Sequence, residues 1–191
     1  MVKPTENLIR HRERTQQALI EAGRALVATR PYSTIRVREV ADMAGCNHGL
    51  ITHYFGGKLG LFTAVLHSLA GEVTAVLSEH GTAGKILEHE ATATFWRLLA
   101  ALLDDGIDPQ RALVEGQPAL DLIEQRASEI SGQNLPELRP LASLVLLLVG
   151  GYHVFGDVFS STLRPTEDDP DAVALFHRLM MLILAGLNAE Q

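Results

Sequence analysis

Between Tyr32 and Lys58 the chain gathers polar and basic side chains onto what reads as two short helices around a glycine turn. Val37, Val40, Ala41 and Ala44 recur at helical spacing and turn one helix, about Arg36 to Ala44, inward. Ala44-Gly45-Cys46-Asn47 breaks it. Gly45 can supply the positive φ of a tight turn, and the Asn47 side chain can accept an orphan N–H of the next helix. That helix, His48 to about Phe55, is polar at His48, Thr52 and His53 and apolar at Leu50, Ile51 and Phe55. Gly56-Gly57 stops it. Helix, short glycine turn, short helix is the helix-turn-helix pattern. Its second helix can enter a major groove about 12 Å wide and offer its N-terminal side chains to base edges. Leu50, an exception to the clean polar/apolar split, can touch a thymine methyl. An ordinary helical hairpin has the same periodicity, so spacing alone leaves both readings open.

The elements that position this stretch are helices throughout, because alternation is rare and Ala and Leu dominate. A first helix runs from about Arg10 to Thr29 with Ala18, Leu19, Ala22, Ala25 and Leu26 on one stripe, and Pro31 ends it. A fourth begins near Lys58 and reaches about His80. Gly81 and Gly84 mark a connection to a long helix, Lys85 to Asp105, with Ile86, Leu87, Phe95, Trp96, Leu99 and Leu102 apolar. Asp108-Pro109 reads as a cap followed by Pro at the first helical position. Gln117-Pro118 and Asn134-Leu135-Pro136 punctuate the next segments, and apolar helices at about Pro140–Ser160 and Asp171–Asn188 close the chain. The apolar run Leu141 to Tyr152 is shorter than the roughly twenty residues of a bilayer span and reads as a buried core helix.

The run Val37-Arg38-Glu39-Val40-Ala41-Asp42-Met43-Ala44-Gly45-Cys46-Asn47-His48-Gly49-Leu50-Ile51-Thr52-His53-Tyr54-Phe55-Gly56-Gly57-Lys58 resembles the signature of TetR-family transcriptional regulators. That signature has an Ile/Val-Ala pair, Ala-Gly-Val-Ser, a Gly, an aromatic, His/Tyr-Phe and a Lys three positions on. The resemblance implies an all-α chain with an N-terminal three-helix DNA-binding head and a C-terminal helical body for ligand binding and dimerisation. It places His48, Thr52 and His53 at recognition-helix positions facing DNA, Arg38 where the preceding helix reaches a base or phosphate, and Tyr54 and Lys58 at phosphate-contacting positions. The chemistry agrees: Arg pairs bidentately with guanine, and Lys is a phosphate point charge. Lys58 also opens a helix whose N-terminal dipole favours an anion.

The chain departs from the family at Ile35-Arg36, where a small hydroxyl cap is usual; Thr34 or Ser33 can cap instead, and Arg36 can reach phosphate by length. Thr52 replaces a frequent Tyr, and Cys46 and Asn47 replace a frequent Val and Ser. The candidate DNA-facing set is therefore Arg36, Arg38, Asn47, His48, Gly49, Leu50, Thr52, His53, Tyr54 and Lys58. Lys3, Arg10, Arg12 and Arg14 form a basic arm, read either as additional backbone or minor-groove contacts or as a solvated tail.

Charge is segregated in the same sense. The 191-residue chain carries −7 overall, yet residues 1–58 hold nine Lys/Arg against five Asp/Glu and the remainder seven against eighteen. A basic head on an acidic body suits a polyanion at the head alone. One cysteine permits no internal disulfide and the first thirty residues contain no secretory leader, so the expected location is the cytoplasm, with no membrane partner.

Eight histidines raise the question of a metal, but His48 and His53, five apart, do not share a helical face well and His80 and His89 lack a ligand-type pattern. No metal, no cofactor and no catalytic residue is expected; GxSxG, P-loop and dinucleotide fingerprints do not occur. Cys46 reads as a structural thiol. Phe95, Trp96, Leu99, Tyr152, His153 and Phe155 read either as core or as a pocket for a small, largely apolar effector. Gly150-Gly151 inside an apolar helix suggests close approach of another helix or a ligand. Leu144, Val145, Leu148, Leu179, Leu182 and Ile183 are the expected homodimer interface, a four-helix contact across a two-fold axis.

The expectation is thus a DNA-binding head over residues 1–57 and an effector-binding and dimerisation body over 58–191. The protein would be a repressor on a palindromic operator, released by its effector. The rival reading is an all-helical small-molecule-binding protein or enzyme with a vestigial hairpin; salt-dependent retention on heparin or DNA separates the two.

Overall fold

The computed structural model describes residues 4–80, 89–112, 118–131 and 138–162. Among these residues the regular structure is helical. The elements are α1 (Pro4–Thr29), a 3-10 turn (Tyr32–Thr34), α2 (Val37–Met43), α3 (Gly49–Phe55), α4 (Lys58–His80), α5 (Glu90–Asp104), α6 (Pro109–Ala112), α7 (Pro118–Ser131) and α8 (Leu138–Thr162). The helix expected at 171–188, with Leu179, Leu182 and Ile183, lies outside the described residues, as do Lys3, Gly81, Gly84, Ile86, Leu87 and Asn134 to Pro136.

The chain divides into two compact units, Met1–Gly71 with Arg97–Val114, and Glu72–Trp96 with Glu115–Gln191. In the first, α1 starts earlier than the apolar stripe indicates. It begins at Pro4 rather than about Arg10, and Arg10, Arg12 and Arg14 of the basic arm sit on it. Leu19 and Ala22 of the stripe are buried, but Ala25 is exposed, and the inward position between them falls to Gly23. A methyl group at Gly23 would lie 2.8 Å from Cγ2 of Val65, so glycine is what lets α1 approach α4 there. Helix α4 buries Leu61, Phe62, Val65, Leu66 and Leu69 at i, i+3 and i+4 spacing. Each such side chain contributes about 1.5–3 kcal/mol on burial. Residues Lys58–Glu79 are long and apolar enough by length and composition to cross a bilayer, with a mean hydropathy of 1.5, unlike the shorter 141–152 run. One face of this helix, with the side chains just named, is buried in the first unit.

The Asp108-Pro109 start holds: Arg111 and Ala112 donate their backbone N–H groups to the Asp108 carbonyl, and Pro109, which has no N–H, opens the turn. In the second unit α7 and α8 pack together, and Arg139 of α8 bridges Asp121 at 2.8 Å and Glu124 at 3.0 Å on α7. Gly150 resolves one open choice. A methyl there would stand 2.7 Å from the Trp96 ring, so the approach is between helices. The run Leu141–Tyr152 is not the buried core helix its composition suggests. Ala142, Val149 and Gly150 are buried, whereas Leu144, Leu147, Leu148 and Tyr152 are exposed.

Candidate nucleic-acid interface

The interface is built from α2, α3 and the first turn of α4. No side chain hydroxyl caps α2. Thr34 donates its hydroxyl to the Pro31 carbonyl at 2.8 Å instead. The backbone N–H of Arg36 donates to the Glu39 carboxylate at 2.8 Å, and Arg30 pairs with the same carboxylate at 3.0 Å. The Arg36 N–H, then the Arg30 guanidinium, hold the Glu39 carboxyl below its ordinary range. This is the reciprocal arm of a capping box working without its hydroxyl partner. Sequence reasoning missed Glu39, although its place three residues after Arg36 was the signal.

The turn between α2 and α3 closes with Cys46 N–H donating to the Ala41 carbonyl at 3.0 Å and Gly45 at φ +65°. The half-buried Cys46 thiol is pushed up in pKa by burial, which disfavours the reactive thiolate and suits a structural role. Asn47 Oδ1 then accepts the Gly49 N–H at 2.8 Å, the cap expected from the sequence. Gly49 has its own reason to be glycine. A Cβ there would lie 3.2 Å from that oxygen and crowd the cap.

Ile51 anchors α3 from below, fully buried, with Leu50 and Phe55 half-buried. His48, Gly49, Thr52 and His53 are exposed along the opposite side, and Arg36, Arg38 and Asn47 are exposed before them. These polar residues picked from the sequence are therefore all accessible to solvent, and His48 and Thr52, four apart, lie on one side of α3. Tyr54 is half-buried. The His53 ring lies 5.0 Å from its centroid and the Arg12 guanidinium 5.6 Å. Gly56, at φ +76°, donates to the Thr52 carbonyl and ends α3 in the left-handed conformation that glycine adopts freely.

Lys58 behaves differently from its neighbours. Its ammonium donates to the Tyr32 carbonyl at 2.9 Å and stands 4.0 Å over the Tyr32 ring. Burial lowers its pKa, against a smaller opposing pull from Asp105. Tyr32 in turn donates its hydroxyl to Asp105 Oδ2 at 2.6 Å and packs edge-on against Phe62 at 5.1 Å. The charge that the resemblance assigns to phosphate is thus engaged inside the first unit, where it ties the 3-10 turn to α4. Asp105, at the end of α5, and Gly60 were not singled out from sequence. A methyl at Gly60 would lie 3.0 Å from the carbonyl carbon of Phe55 and closer still to its oxygen, so glycine seats the end of α3 against α4.

The six pocket candidates lie on α5 and α8. Phe95 and Trp96 form one edge-on pair at 5.2 Å, with Trp96 against Gly150. Tyr152 and half-buried His153 form another at 5.4 Å, with Tyr152 and Phe155 exposed. Leu99 belongs to the first unit. Of the interface candidates, Leu144 and Leu148 are exposed and Val145 half-buried.

Comparison with known proteins agrees with this geometry. Residues 19–65 match the model of the bacterial regulatory proteins of the tetR family. The HTH-type transcriptional repressor Rv3405c of Mycobacterium tuberculosis is 30% identical over 168 residues, 86% of this chain and 85% of that one. The HTH-type transcriptional repressor AcnR of Corynebacterium glutamicum is 33% identical over 67 residues, 35% of this chain and 36% of its own. The crystal structure of a TetR-family regulator from Mesorhizobium loti shares the fold, with a TM-score of 0.59 and 19% identity over 93% of this chain and 96% of that one. An all-α chain with an exposed polar face on a capped second helix, and with these relatives, belongs to the TetR family and is a DNA-binding regulator of transcription.

Proposed function

We propose that the protein is a repressor that binds a palindromic operator as a homodimer, acts in the cytoplasm and leaves DNA when a small, largely apolar effector binds its body. The observation that carries this reading is the exposed row His48, Thr52 and His53 above buried Ile51, on a helix short enough to lie in one groove. Reading of DNA is confined to residues 1–57; residues 58–191 supply the dimer contact and effector site. Support for a dimer comes from α8, where Leu144, Leu147, Leu148, Tyr152 and Phe155 leave an apolar face open. Support for repression comes from the two bacterial repressors the chain resembles. Trp96, Tyr152 and His153 are the polar-tipped anchors proposed for the effector, and the resemblance suggests α4 as the link from body to head. The test is reciprocity. A compound found by its thermal shift is titrated with and without operator duplex, and its affinity falls by a factor typically about 5–150 when operator is present. Equal affinities contradict effector release.

A further inference from the structure

Arg12 occupies a position that none of the contacts assigned so far requires. It lies seven residues before Leu19, two helical turns away, so it projects from the same side of α1 as the buried stripe. There the stripe has run past the core, and Arg12 is exposed. Its guanidinium stands over the Tyr54 ring, at the last turn of α3, while Tyr54 leans on His53. Arg10 and Arg14, two residues away on either side, point about 200° around the helix, away from α3. A guanidinium 5.6 Å from a ring centroid is within cation–π reach, and that contact uses none of its five N–H donors, which remain for an anion.

We propose that Arg12 is a phosphate-contacting residue of the DNA interface, held by the Tyr54 ring so that its donors meet the phosphate backbone at the rim of the groove that α3 enters. This rests on the reading of α3 as the recognition helix, and of the backbone or minor-groove contacts open to the basic arm it selects a backbone contact made from a helix. Neutralising one phosphate contributes about 0.9 to the slope of log affinity against log salt. Between roughly 50 and 200 mM salt that is about a 3.5-fold difference in the loss of affinity.

The experiment measures binding of the full chain to a mixed-sequence duplex of about 30 base pairs, long enough for two successive turns, across that salt range. Arg12→Ala is expected to lower the slope by about one, and Arg12→Lys to keep it. Arg14→Ala, which removes the same charge from the other side of α1, is expected to leave the slope nearly unchanged. Tyr54→Leu removes the ring, so Arg12→Ala then has a smaller effect than in the parent chain, whereas in Tyr54→Phe its effect is retained. Because Arg12 is exposed, thermal melts of the variants should coincide with the parent's. An unchanged slope in Arg12→Ala, or an equal drop in Arg14→Ala, overturns the assignment while leaving α3 as the reader. A parent chain without salt-dependent DNA binding overturns both.

Discussion

Gly60→Ala tests how α3 is seated, because two opposing terms can be sized at that residue. Alanine in place of glycine in a helix stabilises by up to about 1 kcal/mol. At Gly60 the added methyl meets the carbonyl group of Phe55, the last residue of α3. Overpacking costs typically 1–3 kcal/mol, and here the obstacle is backbone rather than a side chain that can rotate away. The upper end of that range therefore applies, and the net effect is about 2 kcal/mol of destabilisation. For a chain of this size that lowers Tm by about 4–8 °C. Gly71 supplies the internal control. It is exposed on the same helix, and a methyl there meets nothing within 4 Å. Gly71→Ala should therefore raise Tm by about 2–4 °C. Circular dichroism melts of the two variants read the opposite signs directly, and duplex binding should weaken only in Gly60→Ala, where α3 must shift. A stabilised Gly60→Ala with parental DNA affinity would refute the proposed seating.

Three further outcomes follow from other parts of the structure. Tyr32→Phe keeps the packing on Phe62 but loses the bond to Asp105, costing about 1–2 kcal/mol since Asp105 is exposed. Burial, then Asp105, raise the Tyr32 phenol above its ordinary pKa, so its contribution is complete below about pH 10 and declines as pH rises beyond that; alkaline denaturant melts should show a shallower decline in Tyr32→Phe, and identical slopes would count against the pairing. Leu148→Glu places a charge in the apolar face of α8 and should shift sedimentation toward monomer, an unaltered dimer ruling out that face. His48→Ala and Arg38→Ala should relax preference at particular base pairs by about 1–3 kcal/mol each where the lost contact was a good one, while a uniform loss across all sequences would assign them to backbone.

What could be read from the chain beforehand was what is local. Asn47 capping Gly49, Gly45 and Gly56 at positive φ, Pro109 at a first turn and the extent of α4 each follow from a few adjacent residues. The exposed face of α3 followed from one helical period around Ile51. What stayed hidden depended on residues distant in sequence. Tyr32 and Asp105 are separated by 73 positions, and nothing near either predicts the other. Lys58 matches a phosphate-contacting position and opens a helix whose dipole favours anions, but the aromatic face and carbonyl of Tyr32 engage the same ammonium. Apolar composition told that Leu141–Tyr152 must be covered, without telling whether by its own chain. The glycines at 23 and 60 make close approaches whose partners, Val65 and Phe55, become visible only when the helices are packed.

The central claim is that α3 reads DNA from an exposed row at His48, Thr52 and His53. Selection of bound duplexes from a random pool, with base-by-base affinities of the enriched site for the parent and His48→Ala, tests it most directly. Two inverted half-sites with centres about 34–36 Å apart are expected, and in His48→Ala a loss of preference confined to symmetric positions within each half-site. No enriched sequence, or an enriched site whose preferences are identical in His48→Ala and in a variant carrying alanine at 48, 52 and 53, would contradict it.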